Sequence, residues 1–343
     1  MKQRLNYIDS IKGFAIICVV IGHVVNGYTK AGLLSKYTYL LDSLYYVVES
    51  FHMPLFVIVS GYLFKKAYCN NEGVDKKKVK QQVINLYWTY IIFSLLWVLF
   101  KALLSTMVNT KLSIVDAIAF PIKPIDHYWY LFVLCIMYIV FSARAINQCK
   151  KSVLLVLLIF INLLSFFIPW IEWLSLNRSL YYPLFFFLGM VLCEYKIPFS
   201  YPVVIISFIA FGISVSICLY CGLRGHAVNA IPIVNTFVGG SLGLFFFYWF
   251  SNIRLFSREG MLSQFGKCSL YIYIFHGYFT AGGRIVLSKL FGGGYGIAQL
   301  IVCIVISLFF PIIIKIMLEV IKLHDLLFKP YSNLISKGIK RNE

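Results

Sequence analysis

Long apolar runs separated by short polar gaps dominate the 343-residue chain. Ten of them, near 13-29, 43-64, 83-107, 128-147, 152-172, 179-194, 201-222, 229-250, 268-290 and 296-321, approach the roughly 20 residues that a helix needs to cross about 30 Å of hydrocarbon. The pattern predicts an all-α, polytopic membrane bundle of about ten transmembrane helices. The longest hydrophilic gap is KKAYCNNEGVDKKKVKQQ at 65-82. No stretch is left for a soluble domain, so one integral membrane domain is expected over 1-343, with 324-343 as a short basic cytoplasmic tail. The opening MKQRLNYIDSIKG leads into an apolar run that a histidine interrupts, and no small-x-small cleavage site follows. It reads as a retained first helix.

Composition agrees, with 60% hydrophobic, 18% aromatic and 13% charged residues, too apolar for a soluble fold with a polar shell. The formal charge of +18 raises the question of nucleic acid. That partner would need cations gathered on one soluble face, whereas here they sit in the gaps between apolar runs. With the N-terminus inside, 21 of the 31 Lys and Arg residues fall in inner gaps, against 8 at outer ones, Lys111 and Arg284 among them. This bias predicts both termini in the cytoplasm and a multi-pass protein of the cell membrane. The nine cysteines are scattered, mostly in spans, without a disulfide framework. Cys218 and Cys221 form a C-x-x-C pair without a second ligand pair or a thioredoxin-like setting, and they read as helix-packing residues rather than a metal or redox site.

Ionisable groups within spans carry more information, because each costs several kcal/mol unless it faces a cavity or a partner. Of the six histidines, His23, His52 and His276 fall within spans, while His127, His226 and His324 lie at edges or in loops. Any one alone reads equally well as a neutral imidazole bonded to a carbonyl; three in one bundle point to a shared polar cavity. Lys12 and His23 are eleven residues apart, three helical turns with about 20° left over, so both project from one face about 16 Å apart. Asp9 precedes Lys12 by one turn and can fix the direction of its ammonium. A membrane anchor plus a packing histidine would explain each residue separately and leave their common face to chance.

The second span, ESFHMPLFVIVSGYLF, sets Glu49 and His52 one turn apart, near enough to hydrogen-bond, with Pro54 expected to loosen the helix beyond them. A buried pair joining two helices is the other reading. In HYWYLFVLCIMY, residues 127-138, the rings of His127, Tyr128, Trp129 and Tyr130 form either an interfacial aromatic belt or a stacking platform for a sugar. Arg178, just outside the sixth span, reads by itself as an interfacial anchor.

Taken in order, these segments resemble the acyltransferase-3 family of integral membrane acyltransferases in its short form, without an appended soluble domain. The resemblance rests on Asp9, Lys12, Gly13, Ala15 and His23, which meet the pattern D-x-x-[R/K]-G-x-A with a basic-x10-His spacing. It rests also on FHMPLFVIVSGYLF, YWYLF, YYPLFFFLGM and SLYIYIFHGYF further along. The wording is most similar to the sugar O-acetylase branch, with its fucose-4-O-acetylase-like members. Lys12 stands where many members have Arg, and QQVINLYWTY lacks a proline expected after the basic loop. The resemblance implies transfer of an acyl group, usually acetyl, from acyl-CoA to a hydroxyl of a cell-envelope glycan or its lipid-linked precursor.

Such a transfer needs a base for the hydroxyl proton and donors for the developing oxyanion. His23 is the first candidate for the base, and His52 positioned by Glu49 is its partner. Lys12, directed by Asp9, is expected to meet the donor's phosphates. Trp129, Tyr128, Arg178 and His276 are the candidates for contact with substrate. No tightly bound cofactor and no metal are expected, the acyl-CoA being a donor substrate. Acyl-CoA, a glycan or lipid-linked saccharide and membrane lipids are the expected partners, with no nucleic acid. Direct transfer and an acyl-His23 intermediate are both chemically open. The rival class is a transporter or flippase for a lipid-linked sugar or small solute, which also suits buried histidines and a proline-broken helix.

Overall fold

The computed structural model describes residues 5-70, 73-104, 113-195, 199-224, 232-292 and 296-331. Lys111, His226, residues 1-4 of the opening and 332-343 of the basic tail lie outside them. The described chain is almost wholly helical. Its helices are α1 (Asn6–Lys30), α2 (Thr38–Tyr68), α3 (Lys76–Leu103), α4 (Ile114–Ala119), α5 (Trp129–Phe141), α6 (Arg144–Gln148), α7 (Lys151–Leu164) and α8 (Leu176–Tyr181). They continue with α9 (Pro183–Glu194), α10 (Tyr201–Leu223), α11 (Pro232–Asn252), α12 (Met261–Lys267), α13 (Ser269–Phe291), α14 (Gly296–Val320) and α15 (His324–Phe328). A small antiparallel hairpin pairs Cys69 with Val74 and Asn70 with Gly73 before α3.

All ten apolar runs hold helix. Among the described residues six helices are long and apolar enough to cross a membrane: α1, α2 with the turn before it, α3, α10, α11 and α14. The α8 and α9 segments, bent by 47° at their junction, make a seventh if they form one span. The runs at 128-147 and 152-172 give shorter helices, of 13 residues in α5 and 14 in α7. Apolar sequence continues beyond α7 as FFIPW, where Pro169 cannot continue a helix. The α13 helix has 23 residues and holds His276, Arg284 and three glycines; it is not among the six.

The chain folds as two compact units, Met1–Tyr62 with Phe185–Ile312 and Leu63–Leu184 with Ile313–Glu343. The first is built around α1, whose Ile11, Ala15, Ile16, Val19, Val20, Val24, Val25 and Tyr28 are almost completely buried. Two reciprocal glycine contacts bring backbones together here. A Cβ on Gly13 would run into the Leu262 carbonyl of α12, and one on Gly266 would run into the Asp9 carbonyl of α1. Gly61 of α2 and Gly189 of α9 stand in the same relation to the carbonyls of Phe186 and Ile58. The start of α1 is tied further by Ser10 Oγ, which donates to the Phe256 carbonyl at 3.0 Å. Rings of Phe14, Phe51 and Phe246 fill the space among α1, α2 and α11, with centroids 4.6 to 5.9 Å apart.

In the second unit α3 packs on α5, and Tyr138 meets Phe64 and Tyr68 edge-on. Lys101, which falls inside a predicted span, is buried and donates to Asp126 Oδ2 at 2.9 Å, where Trp97 Nε1 also donates at 2.6 Å. Asp75 caps α3 by accepting from the Lys78 amide, which offsets the run of lysines in the first turn. In the 113-125 segment Lys123 Nζ lies 2.6 Å from both Asp116 and Glu172. The Lys123 ammonium, with the Ser113 hydroxyl, holds the Asp116 carboxyl below its ordinary 3.8. A lowered folded value means that this contribution to stability is present above pH 3.8 and lost as pH falls through the folded value. The difference in thermal midpoint between wild type and Asp116→Asn is therefore expected at neutral pH and should vanish in acid; a difference independent of pH would contradict the assignment.

Candidate active site

Two of the predicted histidines meet. The His23 ring of α1 and the His276 ring of α13 lie 4.9 Å apart between centroids, inclined at 54°. They differ in surroundings, since His276 is completely buried while His23 is exposed. His276 Nδ1 lies 2.8 Å from the Tyr273 carbonyl and 3.0 Å from that of Ile272. A carbonyl only accepts, so Nδ1 carries the proton and Nε2 is left as a lone pair. The result is an accessible imidazole backed by a buried one of fixed tautomer. In this neutral tautomer His276 accepts rather than donates at Nε2.

His52 is held in the same way, with Nδ1 donating to the Val48 carbonyl at 2.8 Å. Its Nε2 lies 3.9 Å from Glu49 Oε2, which is beyond a hydrogen bond. The predicted Glu49 to His52 hydrogen bond is therefore not formed: Nδ1 is anchored to the carbonyl one turn back, and the ring so held keeps Nε2 3.9 Å from the carboxylate. The α2 helix runs unbroken through Pro54.

At the other end of α1, Lys12 Nζ pairs with Asp9 Oδ1 at 2.6 Å. Asp9 is buried beneath Gly266, while the Lys12 side chain keeps 21% exposure, so the carboxylate fixes the ammonium and leaves it open to an anion. Lys12 and His23 lie along one continuous helix, as their spacing requires.

Arg284 was assigned to an outer helix end by sequence, and the fold buries it. Its Nε comes to 4.0 Å from where a Cβ on Gly27 would sit, one turn past His23. Only the i, i+4 relation of His23 and Gly27, together with the lack of a side chain at Gly27, hints at this in the sequence.

Trp129, Tyr128 and Arg178 belong to the second unit. Tyr128 is fully buried beside His127, their centroids 4.1 Å apart. Trp129 stacks on Tyr182 at 5.0 Å, and the Arg178 guanidinium lies 4.7 Å from the Trp129 centroid and 5.0 Å from that of Trp170. Arg178 is thus held between two indoles by cation–π attraction, and Trp129 rather than Tyr128 is the ring with accessible surface. Of the cysteine pair, Cys218 Sγ donates to Ser50 Oγ at 3.5 Å, in keeping with a packing role.

The acyltransferase domain family matches residues 5-316, nearly the whole chain. The nodulation protein NolL of Mesorhizobium japonicum is 30% identical over 138 residues, which cover 38% of this chain and 33% of NolL. No solved structure matches. An all-α chain with helices of membrane-spanning length, matched from residue 5 to residue 316 by one acyltransferase domain, belongs to the acyltransferase-3 family of membrane acyltransferases.

Proposed function

We propose that this protein transfers an acyl group, acetyl in the simplest case, from acyl-CoA to a hydroxyl of a cell-envelope glycan or its lipid-linked precursor. The observation that carries this reading is the exposed His23 packed on His276, on the same helix as an open, carboxylate-fixed Lys12. In the reaction the acceptor hydroxyl gives its proton to His23 as its oxygen attacks the thioester carbonyl. The carbon–sulfur bond then breaks, and the CoA thiolate leaves with the proton that His23 returns. His276, with its Nδ1 proton committed to backbone carbonyls, has only Nε2 left to accept a proton from the neighbouring His23 ring as positive charge develops there.

Positive charge is needed where the carbonyl oxygen becomes negative. Arg284, one turn past His23, supplies it, because a guanidinium keeps its charge and five donors even when buried. His52 lends its Nε2 lone pair, with Glu49 available to steady an imidazolium there. Lys12 takes the donor's phosphates as a point charge. Trp129 and Arg178 offer a stacking surface for saccharide in the second unit. In this proposal the chain crosses the cell membrane ten times, the shorter α5 and α7, α13 and the bent α8–α9 pair counted with the six longer helices, and both termini face the cytoplasm, where acyl-CoA is made, in one acyltransferase domain with a basic tail.

The donor end is tested by Lys12. Membranes holding Lys12→Ala are expected to show KM for acetyl-CoA raised about tenfold or more, from loss of a charge-assisted contact, with kcat changed far less. Lys12→Arg should restore most of the loss. A Lys12→Ala protein with wild-type KM and a collapsed kcat would remove Lys12 from donor binding.

A further inference from the structure

The first unit contains a cavity, lined by polar side chains, of which the proposed chemistry uses only Glu49. It has a volume of about 500 Å³ and lies where the end of α1 and the start of α2 adjoin. Asn26 and Lys30 of α1, Asp42, Tyr45 and Glu49 of α2, and Asn235 of α11 line it. Its size falls within the roughly 300–1,000 Å³ of small-molecule sites. We propose that this cavity binds the acceptor, and that it takes an uncharged, hydroxyl-rich ring of the neutral hexose or deoxyhexose type. The assignment rests on the acyl-transfer reading above and names the place and chemistry of its second substrate.

Helix phase carries the assignment. Asn26 follows His23 by three residues, so it lies about 4.5 Å further along α1 on the same side. Lys30 follows it by one more turn. On α2 the wall residues Asp42, Tyr45 and Glu49 recur every three to four positions, and His52 comes three residues after Glu49. The Lys30 end of α1 and the Thr38 end of α2 both line the cavity, so the two helices run from it in the same direction into the unit. Counting away from the cavity, His23 is the next turn on one helix and His52 the next on the other. A ring seated on Asn26 and Glu49 therefore lies within one helical turn of His23 along α1 and of His52 along α2.

The lining also selects the ligand. Asp42 and Glu49 accept hydrogen bonds from hydroxyls, Asn26 and Asn235 both donate and accept, and Tyr45 offers a ring face. That set matches a polyol. Two carboxylates against one ammonium, Lys30, repel a ring that bears its own carboxylate.

Binding without turnover tests the site separately from the chemistry. Purified full-length protein is titrated with tritiated octyl glycosides of glucose, galactose and fucose, with octyl glucuronide as the acidic counterpart. At least one neutral glycoside should bind saturably, and octyl glucuronide should not displace it. Asn26→Ala and the isosteric Asp42→Asn should each weaken binding about tenfold or more, as expected for a lost hydrogen bond to a charged or well-placed group. Gly282→Ala, away from the cavity lining and with open space at its Cβ position, should bind like wild type. Thermal midpoints read alongside show that each variant is folded. Absence of binding by every neutral glycoside, or unchanged binding in both folded cavity variants, overturns the proposal. Binding that depends on the cavity, together with no acetyl transfer by wild type, would uphold the subsite and refute the acyl-transfer reading instead.

Discussion

His23→Ala is expected to lower acetyl transfer by about 10²- to 10⁴-fold, the range for losing a general base, with KM for acetyl-CoA nearly unchanged. The exposed imidazole is the group placed to meet substrate, and it is the one histidine on α1. His276→Ala should produce a smaller loss, because it removes the acceptor behind His23 rather than the base. The double variant should be little worse than His23→Ala alone, since two groups acting as one unit are not additive. Initial rates of label transfer, normalised to folded protein, give all three numbers. Multiplicative losses in the double variant would show that the two rings act separately, despite their 4.9 Å separation.

The largest effect on stability is expected at Gly13 and Gly266. A methyl at either position enters space held by the backbone of the opposing helix, at Leu262 and Asp9 respectively, and a carbonyl cannot rotate away as a side-chain tip can. Each Gly→Ala change should cost about 1–3 kcal/mol or more by overpacking. The displacement of α12 should also loosen Asp9, and with it the direction of Lys12. Gly282→Ala is the control, because nothing lies within 4 Å of its Cβ position and α13 is helical there, so it should be neutral or slightly stabilising. Thermal unfolding of purified protein separates the outcomes; a midpoint for Gly13→Ala equal to that of Gly282→Ala would show that α1 and α12 are not in backbone contact.

The readable parts of the sequence are those that depend on one helix at a time. The eleven-residue interval from Lys12 to His23 fixes a common face whatever α1 packs against, and Asp9 to Lys12 is a one-turn pair that forms as expected. Neighbourhood between helices is not written in single-helix periodicity. Nothing in the spacing of His23 and His276 says that α1 lies beside α13, so His276 ranked among substrate contacts, whereas it backs the candidate base. Arg284 looked like a helix-end cation because it comes late in the apolar run at 268-290, yet the missing side chain at Gly27 makes room for it inside. Glu49 and His52 have the spacing of a hydrogen-bonded pair, but the ring, anchored through Nδ1 to a backbone carbonyl, holds Nε2 beyond hydrogen-bond reach of the carboxylate. Apolarity also overstated the helices at 128-147 and 152-172, since an apolar run continues through residues such as Pro169 that end a helix. Gly13 was legible as part of a motif, and its reason, the Leu262 carbonyl, emerged only from the packing.

The most direct measurement is the fate of the acyl group. Purified protein in lipid vesicles is incubated with acetyl-labelled acetyl-CoA and an envelope saccharide fraction, and the saccharide is then recovered and treated with mild alkali. Acyl transfer predicts alkali-labile label on saccharide with wild-type protein, at a rate about 10²- to 10⁴-fold higher than with His23→Ala. Saccharide that crosses the vesicle unlabelled, or label incorporated equally by wild type and His23→Ala, would contradict it.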